Sequence, residues 1–152
     1  MFFKPVFDLM EAIIKLDIDK ILRRFVSNKA VQNFILDLNR KEQLFNKGVD
    51  SKNRTLGIYS NFTIEDKKSR GVPVPSDFHI TLFDTGEFYS TFVVIPAKDF
   101  FTIDADPLRG DTDLFKEFGE DILGLTDESL QQLIDFFREF APIAIRRELG
   151  LL

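Results

Sequence analysis

Apolar side chains at Val6, Leu9, Met10, Ile13, Ile14, Ile21 and Leu22 recur three and four residues apart, the spacing of one helix face, and Pro5 stands where proline favours a helix start. That pattern predicts a first helix from Val6 to Phe25. A second is expected to follow, capped by Ser27 or Asn28, with Val31, Phe34, Ile35, Leu38 and Phe45 sharing a face and Gly48 marking its end. From Val49 to Ser76 the helical period is lost and turn formers accumulate. An extended polar loop with one short strand near Tyr59 to Ile64 is predicted there.

Alternation and β-branched residues then make strands of "FHITLF" (78–83), "STFVVIP" (90–96) and "FFTIDAD" (100–106). Between the last two, "PAKD" (96–99) fits a hairpin turn, so those strands should pair antiparallel. "DTDLFKEF" (111–118) has a short helical pattern stopped by Gly119. Thr126, followed by Asp127 and Glu128, opens a final helix with Leu130, Leu133, Ile134, Phe137 and Phe140 along one side. Pro142 is expected to kink or restart it before "IAIRREL" (143–149). The order predicts an α+β fold in one domain over 1–152: helices over 1–48, a long polar loop over 49–76, then a small antiparallel sheet and C-terminal helices over 77–152, with helices covering one face of the sheet.

The 152 residues, 44% of them hydrophobic, suffice for one domain with a core. The absence of cysteine removes disulfides, thiolate nucleophiles and Cys-based metal sites, and is compatible with a reducing cytoplasm. His79 is the single histidine, so no imidazole cluster can form, and neither metal nor cofactor is expected. Charged residues interrupt the apolar ones throughout 1–24, which reads as neither signal peptide nor membrane span. Phenylalanine is the outlier, at 18 residues with no tryptophan; the plain reading is a Phe-packed core, and the sharper one is that some of the rings serve a partner surface.

A net charge of −5 argues against bulk attraction to nucleic acid or anionic lipid. The charge is unevenly placed. From Arg40 to Arg70 eight basic residues stand against Glu42, Asp50, Glu65 and Asp66, and from Asp99 to Glu128 ten acidic residues stand against Arg109 and Lys116. Solvated surface is the plain explanation. The sharper one is head-to-tail association, in which Lys52, Arg54, Lys67, Lys68 and Arg70 of one copy meet acidic residues such as Asp111 and Asp113 of the next.

Asp84-Thr85-Gly86, after the apolar "ITLF", is the local string of aspartic proteases, and Ile122-Leu123-Gly124 matches their later apolar-apolar-Gly. A homodimer could then pair two Asp84 carboxyls. Glu87 counts against this, since it adds a carboxyl beside a dyad that already suffers repulsion, and so does the helical first part of the chain. The structural alternative makes Asp84 an N-cap in a capping box with Glu87, starting a short helix "TGEFYSTF" (85–92) at the end of the strand. Gly86 would allow the sharp corner, and Phe88, Tyr89 and Phe92 would press against neighbouring helices. His79 with Asp77 or Asp84 lacks a recognisable nucleophile context, "DADPLRGDTD" (104–113) lacks calcium-loop spacing, and "EDKKSRG" (65–71) reads as a polar loop. No catalytic residue is assigned.

The run "ITLFDTGEFYSTFVV" (80–94) resembles a corner found in neck and tail-completion proteins of tailed bacteriophages, and "DLFKEFG" (113–119) resembles the helical segment ending in Phe-Gly that follows it there. With "DLNRKEQLFNKGVDS" (37–51), "LGIYSNFTI" (56–64) and "DILGLTDESLQQL" (121–133), the chain resembles uncharacterised structural proteins of phages infecting Bacteroidetes, including the crAss-like phages. It departs from the broader neck family in the charged segment 49–76 and in the Phe88-Tyr89 pair. The resemblance implies a virion protein made in the host cytoplasm. Its copies would form a ring at the head–tail connector, between portal or adaptor and tail proteins, with DNA passing through the lumen without sequence-specific binding and with no membrane partner. The other classes weighed are a homodimeric aspartic protease using Asp84 and a phage-encoded factor that binds protein or nucleic acid.

Overall fold

The computed structural model describes residues 4–98 and 100–152. The apolar period of the N-terminal segment is carried by two helices, α1 (Lys4–Ile14) and α2 (Ile18–Ser27), where the sequence predicted one. The break comes at Asp17, whose backbone turns extended (φ −89°, ψ 93°) and whose carboxylate accepts from the Lys20 N–H at 2.9 Å. An N-cap in mid-pattern ends one helix and starts the next. Of the two expected caps for the following helix, Asn28 serves: its side chain accepts from the N–H groups of Ala30 and Val31 and opens α3 (Lys29–Asp37).

From Leu38 to Lys47 the helix continues with the wider π-type turn and stops at Gly48, in the left-handed conformation at φ 62°. The wider turn changes which side chains face inward. Leu38, Asn39, Gln43 and Leu44 are buried, whereas Phe45, predicted on the inner face, is half-buried.

Segment 49–76 is folded, which corrects the extended-loop expectation. Asp50 closes a tight turn by accepting from the N–H groups of Lys52 and Arg54, both at 2.9 Å. Ser60 then caps α4 (Asn61–Ser69), where a strand was predicted, and Ile64 and Lys67 of α4 are buried. "FHITLF" is no strand either. Phe78 and Leu82 adopt φ of 59° and 56°, and only His79 pairs, in a single antiparallel bridge with Ile58. Left-handed residues four apart prevent the extended ladder that the alternation implied.

One turn of helix, α5 (Glu87–Ser90), leads into β1 (Val93–Pro96), which pairs antiparallel with β2 (Phe101–Asp104) in the register Val93↔Asp104, as expected for these two segments. Asp99, placed by the sequence in their turn and at the start of the acidic segment, lies outside the described residues. A second hairpin, β3 (Leu108–Arg109) with β4 (Thr112–Asp113), delivers Asp113 as the N-cap of α6 (Leu114–Phe118), which Gly119 ends. A 3₁₀ turn (Glu120–Ile122) and the Thr126 cap precede α7 (Asp127–Glu148).

Helix α7 runs unbroken for 22 residues through Pro142, so the restart expected there does not occur. Proline deletes one backbone hydrogen bond, and tertiary contacts hold the helix on both sides of it. Phe137 and Phe140 pack their rings on Phe25 with centroids 5.0 and 5.1 Å away, and Glu148 accepts from Lys20 and Arg24 of α2.

The fold is thus α+β, with two small antiparallel sheets flanked by helices. One buried cluster gathers Leu36, Leu44, Phe88, Phe92, Ala105 and Ile122, and a second gathers Phe25, Val31, Ile35, Leu38 and Leu133. The directly paired Val94 and Ile103 pack against both. The β1–β2 hairpin therefore welds the two halves of the core.

Candidate functional site

The Asp-Thr-Gly corner is built on Gly86, whose φ of 86° favours glycine and whose position would bring a Cβ to 3.3 Å from the Phe83 ring. Beyond it Phe88 is buried against Phe92 at 4.9 Å, and Tyr89 donates its hydroxyl to the carbonyl of Thr81. Burial raises the Tyr89 phenol well above its ordinary pKa. Thr81 is itself buried, donating its N–H to the Tyr59 hydroxyl at 3.1 Å. Phe88 and Phe92 join Leu36 and Leu44 in one buried cluster, with Tyr89 packed against it, although the helix that was expected over 85–92 covers only Glu87–Ser90.

The capping box does not form. No side chain caps α5, and the Glu87 N–H turns to Thr85 Oγ1 at 3.4 Å. Asp84 instead accepts from Arg70 Nη2 at 2.8 Å and from Lys67 Nζ at 3.3 Å, both contributed by the segment around α4. The Arg70 guanidinium, helped by Lys67, holds the Asp84 carboxyl below the ordinary carboxylate range against the opposing pull of burial. A dyad that shares a proton needs the reverse setting, in which the charged form is disfavoured.

The basic and acidic segments meet within one chain. Lys52 and Arg54 pair with Asp121 at 2.8 and 2.6 Å, Arg54 also pairs with Asp50, and Lys47 pairs with Glu128. Lys52 and Arg54 keep the Asp121 carboxyl below its ordinary pKa. Asp113 is occupied as the α6 cap, accepting from the Phe115 N–H at 3.0 Å. Lys68 lies 5.4 Å over the Phe78 ring, and Asp111 is exposed in the turn of the β3–β4 hairpin. Of the residues expected to meet a second copy, Lys52, Arg54, Lys67, Arg70 and Asp113 already have partners inside the subunit.

His79 sits between the Asp77 carboxylate, 2.6 Å from Nδ1, and the Phe45 carbonyl, 2.8 Å from Nε2. It fastens the 77–79 loop over the end of the π-helical stretch. Two buried amides, Asn39 and Gln43, were not singled out by the sequence. Asn39 donates to the Ile122 carbonyl and accepts from the Gly124 N–H, both at 3.0 Å, while Gln43 donates to the Gly124 carbonyl and accepts from the Thr126 N–H, both at 2.9 Å. Polar residues on a helix carry no local mark of burial, so only the spacing of the amides could have hinted at this clamp.

A groove of about 640 Å³ runs between α2, the β1–β2 hairpin and α7, floored by Phe25, Leu133 and Phe137 and walled by Val26, Phe101 and Ile134. Its only charged residues among the described ones are Arg23 and Lys98. Leu130 and Ile134, which the sequence assigned to the packed side of the last helix, line it and remain 40% and 45% exposed. Helix α1 is bare as well, with Val6, Met10 and Ile13 about half exposed and Ile14 80% exposed. The described residues contain no group of three or more side chains placed to hold a metal ion, and no helix long and apolar enough to cross a membrane.

Comparison with protein-family models, curated proteins and solved structures gives no match for this chain.

Proposed function

We propose that this chain is an assembly subunit, a protein whose work is to bind further copies of itself and neighbouring proteins. The observation that carries this reading is the apolar surface left open to water: the bare side of α1 together with the groove beside α7. Apolar side chains exposed side by side along an element form a patch of the kind that marks an interaction face. The charged side chains suspected of intermolecular work are mostly consumed in holding the subunit together, so the reading rests on the apolar face and not on them.

The particular place we propose is the head–tail connector of a tailed phage, as a neck or tail-completion protein forming a ring around the DNA channel. That step rests on the resemblance of 80–94 and 113–119 to neck and tail-completion proteins. The corner is tied down at several points, with Phe88 packed edge-on against Phe92 and with Arg70 and Lys67 donating to the Asp84 carboxylate. Mass spectrometry of purified virions of the encoding phage tests it. Many copies per particle are expected, and absence from the particle would sink the connector reading while leaving self-association open to measurement in solution.

A further inference from the structure

We infer that the cavity between α4, the Asp-Thr-Gly corner and the β3–β4 hairpin binds a small organic carboxylate, with the guanidinium of Arg109 as its anchor. The site goes beyond the assembly reading and does not rest on it.

The cavity has a volume of about 610 Å³. Arg109 of β3 lies over the Phe88 ring, its guanidinium carbon 5.3 Å from the centroid, and donates from Nη1 to the neighbouring Leu108 carbonyl. Its Nε and Nη2 are buried and meet no acceptor. Among the described residues no other buried side-chain nitrogen or oxygen lacks a partner. Arginine cannot shed its charge when it is taken out of water, so the two donors call for an anion. The fold satisfies its other buried polar groups and leaves this pair in the wall of a cavity.

Hydrogen-bond geometry, charge and the rest of the wall select the ligand. Nε and Nη2 form the side edge of the guanidinium, whose parallel N–H bonds match the paired oxygens of one carboxylate. The other charged residues of the wall are Lys67, Asp84, Glu87 and Glu117. Lys67 is taken by the Phe83 carbonyl and Asp84, and Asp84 also by Arg70. Glu87 and Glu117 are exposed and neither pairs with Arg109, so they set a negative rim that admits a single charge more readily than a doubly charged phosphate. Leu82, Leu114 and Phe118 give the wall an apolar side that suits a hydrocarbon or aromatic body. Strand β3 has only two residues and constrains the Arg109 side chain little, so a small turn of it brings the unpaired edge to the ligand.

Benzoate is the probe, followed by titration calorimetry and by the shift of the Arg109 Nε–H cross-peak in nitrogen–proton correlation spectra. Saturable binding is expected, with benzamide and inorganic phosphate each at least about tenfold weaker. Arg109→Leu and Arg109→Lys, checked for folding by circular dichroism, should weaken benzoate at least about tenfold, the lysine variant because an ammonium lacks the paired edge. The Nε–H shift of the wild-type chain decides the matter should a variant fail to fold. Benzoate binding that survives in Arg109→Leu, or none to the wild-type chain, overturns the site, and phosphate binding as tight as benzoate overturns the carboxylate assignment. If benzoate does not bind and Arg109→Leu instead weakens self-association in sedimentation, the guanidinium serves a carboxylate of a neighbouring copy and the small-molecule site is overturned, while the assembly reading stands.

Discussion

The ammonium of Lys67 lies buried beneath the Asp84 corner, donating to the Phe83 carbonyl at 2.6 Å and to the Asp84 carboxylate at 3.3 Å. A lysine in a segment that reads as solvated loop is therefore a tie between α4 and the corner, with its stem inside and the Tyr59 ring 5.0 Å from its charge.

The two ends of that tie should differ in cost. Asp84→Asn removes a half-exposed ionic partner and should cost about 1 kcal/mol or less. Lys67→Met strips a buried carbonyl of its donor and should cost about 1–3 kcal/mol. Urea denaturation of both variants checks the order. A greater loss for Asp84→Asn would mean that the carboxylate, not the ammonium, organises the corner, and a peptidase activity abolished by Asp84→Asn would return the protease reading to first place.

The buried amide clamp should carry a measurable share of the stability. Gln43→Leu leaves the Gly124 carbonyl and the Thr126 N–H without their partner, and the two together should cost about 2–5 kcal/mol. Hydrogen exchange should show the 122–126 segment losing protection before the β1–β2 hairpin does. Unchanged protection there would place the stabilising contact elsewhere.

Acid should unfold the protein through its depressed carboxyls. Asp84, Asp77 and Asp121 all have folded-state pKa values below the ordinary 3.8. Their contribution is complete above that unfolded value and is lost as pH falls through the lower folded values. The urea midpoint should change little on account of these groups between pH 7 and about pH 5 and fall below about pH 4. Asp84→Asn combined with Asp121→Asn should flatten the acid limb. A midpoint that instead falls between pH 7 and pH 5 would assign the sensitivity to other groups.

Gly48→Ala should be among the most damaging single methyl additions. The residue holds φ 62°, and an added Cβ would come within 2.5 Å of the His79 ring. The left-handed backbone alone costs about 1–2 kcal/mol, and displacing His79 from the Phe45 carbonyl adds to it. Gly71, also left-handed at φ 70° but open on all sides, should lose only the backbone share when changed to alanine. Thermal denaturation of the two variants separates steric crowding from backbone strain; equal losses would remove the crowding argument.

Part of what depends on bonds a few residues long was legible in the sequence. Asn28 and Thr126 cap helices by accepting from N–H groups within three residues of themselves, and Gly48 and Gly119 end helical segments because a positive φ suits glycine. The β1–β2 hairpin was legible because a short turn brings its two strands together. Asp17 shows where such reading slips: the apolar period of a single helix ran straight across a cap, and local polarity prevailed over the pattern.

The rest was decided by partners distant in the chain. "FHITLF" alternates like a strand, but no neighbouring strand offers it a ladder, and Thr81 is held instead by Tyr59 and Tyr89, so Phe78 and Leu82 take left-handed turns. Nothing near Asn39 or Gln43 announces that the backbone of 122–126 will need their amides more than eighty residues later. The Asp84 tripeptide by itself is compatible with a catalyst, a cap or an ion-pair acceptor, because those roles differ only in what surrounds the carboxylate. Tertiary structure supplied Arg70 and Lys67 as that surrounding, since a carboxylate at a corner takes the nearest cations that folding brings to it, and it decided which apolar residues of the periodic helices stay exposed, Met10 and Ile134 among them.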